Sequence, residues 1–318
     1  MKYFKKTIKY LPILIGIFLF LAIIFFVTDP KKLLLVLQKT NLIYLIPVFF
    51  LCLLLVGLKA KRWQLLANRL DIKYSFARSF SIYSIGVFWS LITPGKLGEA
   101  IKIFYLKKDG YPIKKSLITT IVDRLADFGF LIFLIFISCL LFSQYLDQNI
   151  LWLTLIILLA IIFAIIFIKK EIYLKIIKLV LPKKYQPLIA ENAKNLLTDF
   201  GQYNFLDYLA SIGLTAGSWL VYIFQVYLLG LALNLKLNFM ILVPMIAIAN
   251  AADLLPISFN GVGTREAVFI FFFSIVNLPA EKAVALGIIQ LFIVLASAFI
   301  GFLFWLKEPI NFKKINNE

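Results

Sequence analysis

Histidine is absent from these 318 residues. That removes imidazole as a general base, a proton relay or a zinc ligand. Cysteine occurs twice, at Cys52 and Cys139, each inside an apolar run, so no disulfide framework is expected. Acidic residues are scarce, 16 against 33 Lys and Arg, for a formal net charge of +17. There is no glycine-rich loop ending in Lys-Ser or Lys-Thr, which argues against nucleotide hydrolysis by this chain. Long polar stretches are also missing, leaving no room for a soluble catalytic domain. The space is apolar: 62% of the residues are hydrophobic and the mean hydropathy is +0.96, whereas a soluble domain is nearer half apolar.

At about 20 residues per span the chain holds roughly six to eight membrane helices. In a soluble protein the positive charge would suggest nucleic acid. Here cytoplasmic loops that collect Lys and Arg are the simpler source, so no nucleic-acid partner is expected. Contact with anionic lipid headgroups follows from the same charge. The basic start and long run at residues 11–27 lack a small-residue cleavage site and read as a retained first helix. Asp29-Pro30 stops it, and 31–39 is amphipathic. Spans are expected at 42–58, 116–142, 150–168, 206–233 and 283–306. Trp63, just past the first of these, reads as an interfacial anchor. Residues 169–204 read as a lysine-rich surface connector, and 307–318 as a frayed tail.

Two stretches do not fit a simple span. Thr93-Pro94-Gly95-Lys96-Leu97-Gly98-Glu99-Ala100 interrupts one apolar region, and Pro256 to Glu266, containing Asn260-Gly261-Val262-Gly263-Thr264-Arg265-Glu266, interrupts another. Broken backbone at membrane depth survives only under protein or beside a watery cavity. A matched pair of such breaks, one per half, points to a transporter's binding site. Residues 75–106 and 239–276 therefore read as re-entrant hairpins. With both termini cytoplasmic, Lys and Arg concentrate on inner segments, and the hairpins enter from opposite faces. The fold expected is one integral-membrane domain over 1–318: an all-α polytopic membrane protein with about six spanning helices and two re-entrant helical hairpins. The inverted-topology repeats are 42–142 and 206–306, joined by the connector at 169–205.

Five acids fall at membrane depth, Glu99, Asp123, Asp127, Asp253 and Glu266, beside five bases, Arg78, Lys96, Lys102, Arg124 and Arg265. Each unpaired charge at a helix centre costs about 2.5–3.5 kcal/mol, so they pair with one another or line a hydrated cavity. Asp123 and Asp127, four apart, share a helix face, while Arg124 points away by about 100°. One reading is internal salt bridges that hold hairpins to spans. The other is a midplane cavity in which Lys96, Lys102, Arg124 and Arg265 meet phosphate, and the acids form gating pairs or meet a headgroup. Pro94, Gly95, Asn250 and Asn260 belong to the same set. Gly98, Gly261 and Gly263 let backbone approach a headgroup or pack helices tightly.

The pattern resembles the integral-membrane, flippase-like domain of lysylphosphatidylglycerol synthases. It rests on Arg62-Trp63, on Pro94-Gly95-x-x-Gly98-Glu99-x-x-Lys102, on Asp123-Arg124, and on Gly261-x-Gly263-x-Arg265-Glu266, in order over residues 59–306. The family tends to carry Arg where Lys102 stands, and more Pro and Gly between 255 and 263. The resemblance implies translocation of a phospholipid or lipid-linked headgroup in a cell membrane, without synthesis, no cofactor and no metal. A homo-oligomer is compatible with it. Two further readings stay open: an ion-coupled transporter of a small soluble anion, and an intramembrane enzyme with magnesium on Asp123 and Asp127.

Overall fold

The computed structural model describes residues 14–141, 202–254, 258 and 260–310. The span expected at 150–168, the connector at 169–205 save its last residues, and the tail beyond 310 lie outside them. The described residues form helices and no strand.

Helix α1 (Leu14–Val27) ends in a π-helical turn, Ile23–Val27. Asp29 then caps α2 (Pro30–Gln38) by accepting from the Lys31 and Lys32 amides, with Pro30 in the first turn. The two helices meet at 99°. A 3₁₀ turn, Leu42–Tyr44, leads into α3 (Leu45–Arg69). The sequence expectation ended this helix at Leu58. It continues through Lys59, Lys61 and Arg62 because carboxylates elsewhere in the chain neutralise Lys59 and Arg62. Trp63 is not an interfacial anchor either: it is fully buried and stacks on Tyr74.

The first hairpin comprises α4 (Phe76–Leu91), a 3₁₀ stretch Pro94–Ala100 and α5 (Ile101–Lys108). Ser75 caps α4 by accepting from the Arg78 amide. Helix α6 (Ile113–Leu141) follows. In the second half α7 (Phe205–Ala232) opens with a reciprocal capping box between Asn204 and Asp207. Then come α8 (Phe239–Leu254), the second break, α9 (Thr264–Ile275) and α10 (Ala280–Lys307). Helices α3 with its leading turn, α6, α7 and α10 are each long and apolar enough to cross a bilayer, and the bent α1–α2 pair adds a fifth if taken as one span. Phe26, Phe205, Leu220 and Phe292 stand largely exposed, which suits lipid as the surrounding solvent.

Helices α3 and α7 run antiparallel down the centre. Gln225 donates to the Val48 carbonyl at one end, and Arg69 pairs with Asp207 at the other. Helix α4 lies antiparallel on α10, with Phe80 against Phe304 and the Ser84 carbonyl against Gly301. A Cβ at Gly301 would sit 1.9 Å from that oxygen, so the close approach needs glycine. Packing in one half recurs in the other: α4 on α10 and α8 on α6, α5 on α6 and α9 on α10.

Candidate functional site

The two breaks border one cavity of about 220 Å³, walled by α3, α4, α6, α7, α8, α9 and α10. Lys96 and Glu99 reach it from the first break, Asn260 and Arg265 from the second. Lys96 (φ 56°) and Asn260 (φ 49°) both take left-handed backbone. Asn adopts that readily; for Lys it costs roughly 1–2 kcal/mol. Lys59, Arg124, Asp127 and Asp253 add charge to the lining, while Leu55, Val87, Phe128 and Ile293 add apolar surface.

Behind the first break lies a closed ion network. Arg62 Nε donates to Asp123 Oδ1 at 2.8 Å, and its Nη1 donates to Asp127 Oδ1 at 2.8 Å and to Thr215 at 2.9 Å. Lys102 Nζ lies 2.8 Å from Asp123 Oδ2 and 3.5 Å from Glu99, with its ammonium 4.2 Å from the Tyr83 ring centroid. Arg124 Nη2 meets Glu99 at 2.5 Å and Asp127 at 3.1 Å, and Lys59 meets Asp127 at 3.2 Å. The side chains of Arg62, Lys102 and Asp123 have no exposed surface. Charges removed from water survive only with such partners.

This geometry corrects several sequence expectations. Lys102 is not a cavity phosphate ligand; it is sealed in the network behind the wall. Arg78 does not line the cavity. It sits in the first turn of α4, bound to Asp109 at 2.9 Å and to Glu308. Arg124 does not point away from its acidic neighbours, because its long guanidinium reaches back to Asp127. Asp123 and Asp127 both pair with Arg62. At the glycines an added side chain would meet protein. A Cβ at Gly98 would stand 2.0 Å from the Trp89 carbonyl oxygen, and one at Gly263 would stand 2.7 Å from the Gly16 carbonyl oxygen on α1. Gly261, at φ 79°, lies against Asp253. Pro94 and Gly95 form the first residues of the 3₁₀ stretch.

The second break is arranged differently. Glu266 accepts from the Gly263 amide at 2.6 Å and so caps α9. Its other oxygen makes only long contacts with Arg265, at 3.4 and 3.5 Å. Among the described residues Arg265 Nε and Asp253 Oδ1 are buried without a hydrogen-bond partner. Tyr222 Oη accepts from Gln290 at 2.5 Å and from Asn250 at 3.4 Å, and Asn250 also donates to the Ile246 carbonyl at 2.9 Å. Lys59, Arg62, Tyr222 and Gln290 were missed as site residues. The i, i+3 spacing of Lys59 and Arg62 was a usable signal; Tyr222 and Gln290 lie singly in apolar runs and gave none.

The family described as "Lysylphosphatidylglycerol synthase TM region" matches residues 13–306. The chain belongs to that family. It is similar to a UPF0104 membrane protein of Methanocaldococcus jannaschii, 28% identical over 305 residues, 90% of each chain. A UPF0104 membrane protein of Pyrococcus horikoshii is 28% identical over 123 residues, 37% of this chain and 36% of the relative. One of Archaeoglobus fulgidus is 30% identical over 145 residues, 39% and 44% respectively. No solved structure matches.

Proposed function

We propose that this family member is a lipid flippase-like transporter that moves a phospholipid or lipid-linked headgroup between leaflets. It makes no covalent bond and needs no cofactor. The observation that carries the reading is a cavity bordered by both breaks, in which Lys96, Arg124 and Arg265 share a lining with apolar side chains. An amphiphile suits such a lining: cations for phosphate, hydrocarbon for the adjoining chains. The recurrence of helix contacts between the two halves supports an inverted repeat, with both termini cytoplasmic and hairpins entering from opposite faces of the cell membrane. Alternating exposure of the hairpins then carries the headgroup across.

The test is quenching of tail-labelled phospholipid in proteoliposomes. The chain should move label from the inner to the outer leaflet, and Arg265→Ala should abolish this while the protein stays monodisperse. Uptake of aqueous phosphate without lipid movement would instead favour a soluble-anion transporter using the same cations.

A further inference from the structure

The two halves of the cavity differ in how completely their polar atoms are satisfied. In the first half every carboxylate faces a cation of its own network, and among the cavity-lining side chains there Arg124 Nε alone of the described residues is buried without a hydrogen-bond partner. Among the described residues of the second half, three non-aromatic cavity-lining side chains keep a buried atom without a hydrogen-bond partner, Arg265 Nε, Asp253 Oδ1 and Gln290 Oε1, beside the Trp219 indole nitrogen. Arg265 is 2% exposed and Gln290 4%, so bulk water is not their partner. Rotating the Gln290 amide lets Oε1 accept from the Tyr222 hydroxyl, but then Nε2 is left over. Either way one amide atom stays unpaired. All three residues line the cavity, on α8, α9 and α10. An unmade buried bond is costly unless something fills it.

We infer that Arg265, Asp253 and Gln290 form the headgroup-reading subsite, and that it takes a phosphate diester carrying a neighbouring hydrogen-bond donor, a hydroxyl or an ammonium. Arg265 supplies charge and a donor to a phosphate oxygen. Glu266 competes for it only at 3.4–3.5 Å, because its shorter bond goes to the Gly263 amide. Asp253 Oδ1 accepts from the hydroxyl or ammonium. Gln290 completes the set as donor or acceptor according to its rotation. This rests on the lipid-transport reading and specifies its substrate class. The discriminating feature is the donor: a headgroup with a quaternary ammonium has the same charges as one with a primary ammonium, yet leaves Asp253 unpaired.

The experiment uses the full chain in proteoliposomes with trace tail-labelled phosphatidylethanolamine, phosphatidylglycerol or phosphatidylcholine. Retention of the same probes by the detergent-purified chain is measured in parallel. Phosphatidylethanolamine and phosphatidylglycerol should each exceed phosphatidylcholine by about tenfold or more in both readouts, as expected for one buried hydrogen bond lost. Asp253→Asn should collapse that ranking; a larger loss for phosphatidylethanolamine identifies the ammonium as donor, an equal loss the hydroxyl. Equal handling of all three probes by the unaltered chain overturns the subsite, and so does an unchanged ranking in a monodisperse Asp253→Asn or Gln290→Leu protein. If neither variant folds, the ranking on the unaltered chain decides. Selective retention without movement would sink the transport reading and leave the subsite standing. Unselective movement would do the reverse.

Discussion

Glu99 in the first break is held by Arg124 and Lys102, and through them by Asp123, Asp127, Arg62 and Lys59. Glu266 in the second break caps its own helix and leaves Arg265 with long contacts only. Similar residues at similar places therefore do different work. The first half is a braced wall of paired charges, with Lys96 outside the network and Arg124 Nε left over from it. The second half presents unmet hydrogen-bonding capacity to the same cavity. Only charges that are not already neutralised can exchange their partner for a cargo without a large penalty.

The comparison can be broken by substitution, and the largest effect should come from the wall. Arg62→Met leaves Asp123 with one cation fewer and should destabilise the protein by about 3–5 kcal/mol, read as a lower melting temperature in detergent. A variant as stable as the parent would mean that the network does not brace the fold. Next, Gly98→Ala forces a methyl into the Trp89 carbonyl, which belongs to backbone and cannot swing away. Overpacking of this kind costs typically about 1–3 kcal/mol, and melting should detect it without loss of purified yield.

Arg124→Gln against Arg265→Gln sharpens the contrast. The first removes close partners of Glu99 and Asp127 and should lower stability by about 2 kcal/mol or more. The second should change stability by less than about 1 kcal/mol and yet stop lipid movement. Equal melting losses for the two would erase the distinction between the halves.

The smallest effect lies at the hairpin mouth. Hydrogen bonds from Arg78, then from Lys108, hold the Glu308 carboxyl down to about 2 from its ordinary 4.5. A depressed carboxyl stabilises the fold fully above its unfolded value, and that contribution fades as pH falls from about 4.5 through about 2. The Glu308 side chain is 31% exposed, so solvent screening limits it to below about 1 kcal/mol. Glu308→Gln should flatten this part of the melting-temperature profile, and a profile that keeps its full slope would remove the residue from the latch.

Much of the frame was legible because hydropathy and helix breakers are local signals. Pro94-Gly95 marked the first hairpin, and the observed α4 and α5 lie close to the expected 75–106. Asn204 and Asp207 opened α7 within a residue or two of the expected start. The ion network was not legible in the same way. Arg62 pairs with residues 61 and 65 positions away, so nothing near it in the chain marks it as buried. Lys59, Lys61 and Arg62 therefore read as a loop beyond Leu58. Arg78 failed for the opposite reason: apolar neighbours grouped it with the cavity charges, while Asp109 and Glu308, distant in sequence, hold it at the hairpin mouth. Tyr222 and Gln290 are polar residues within clean spans, and only the fold puts them beside Asp253.

The most direct test of the central claim asks whether the two breaks face one another across a shared cavity. Lys96→Cys and Asn260→Cys are introduced together after replacing Cys52 and Cys139 by serine, and the protein is treated in membranes with a short bifunctional thiol reagent. The account predicts an intramolecular cross-link that ties the two halves together, seen as a single band after proteolysis between them. Ready labelling of both thiols with no cross-link at any reagent length that the cavity can hold would contradict it.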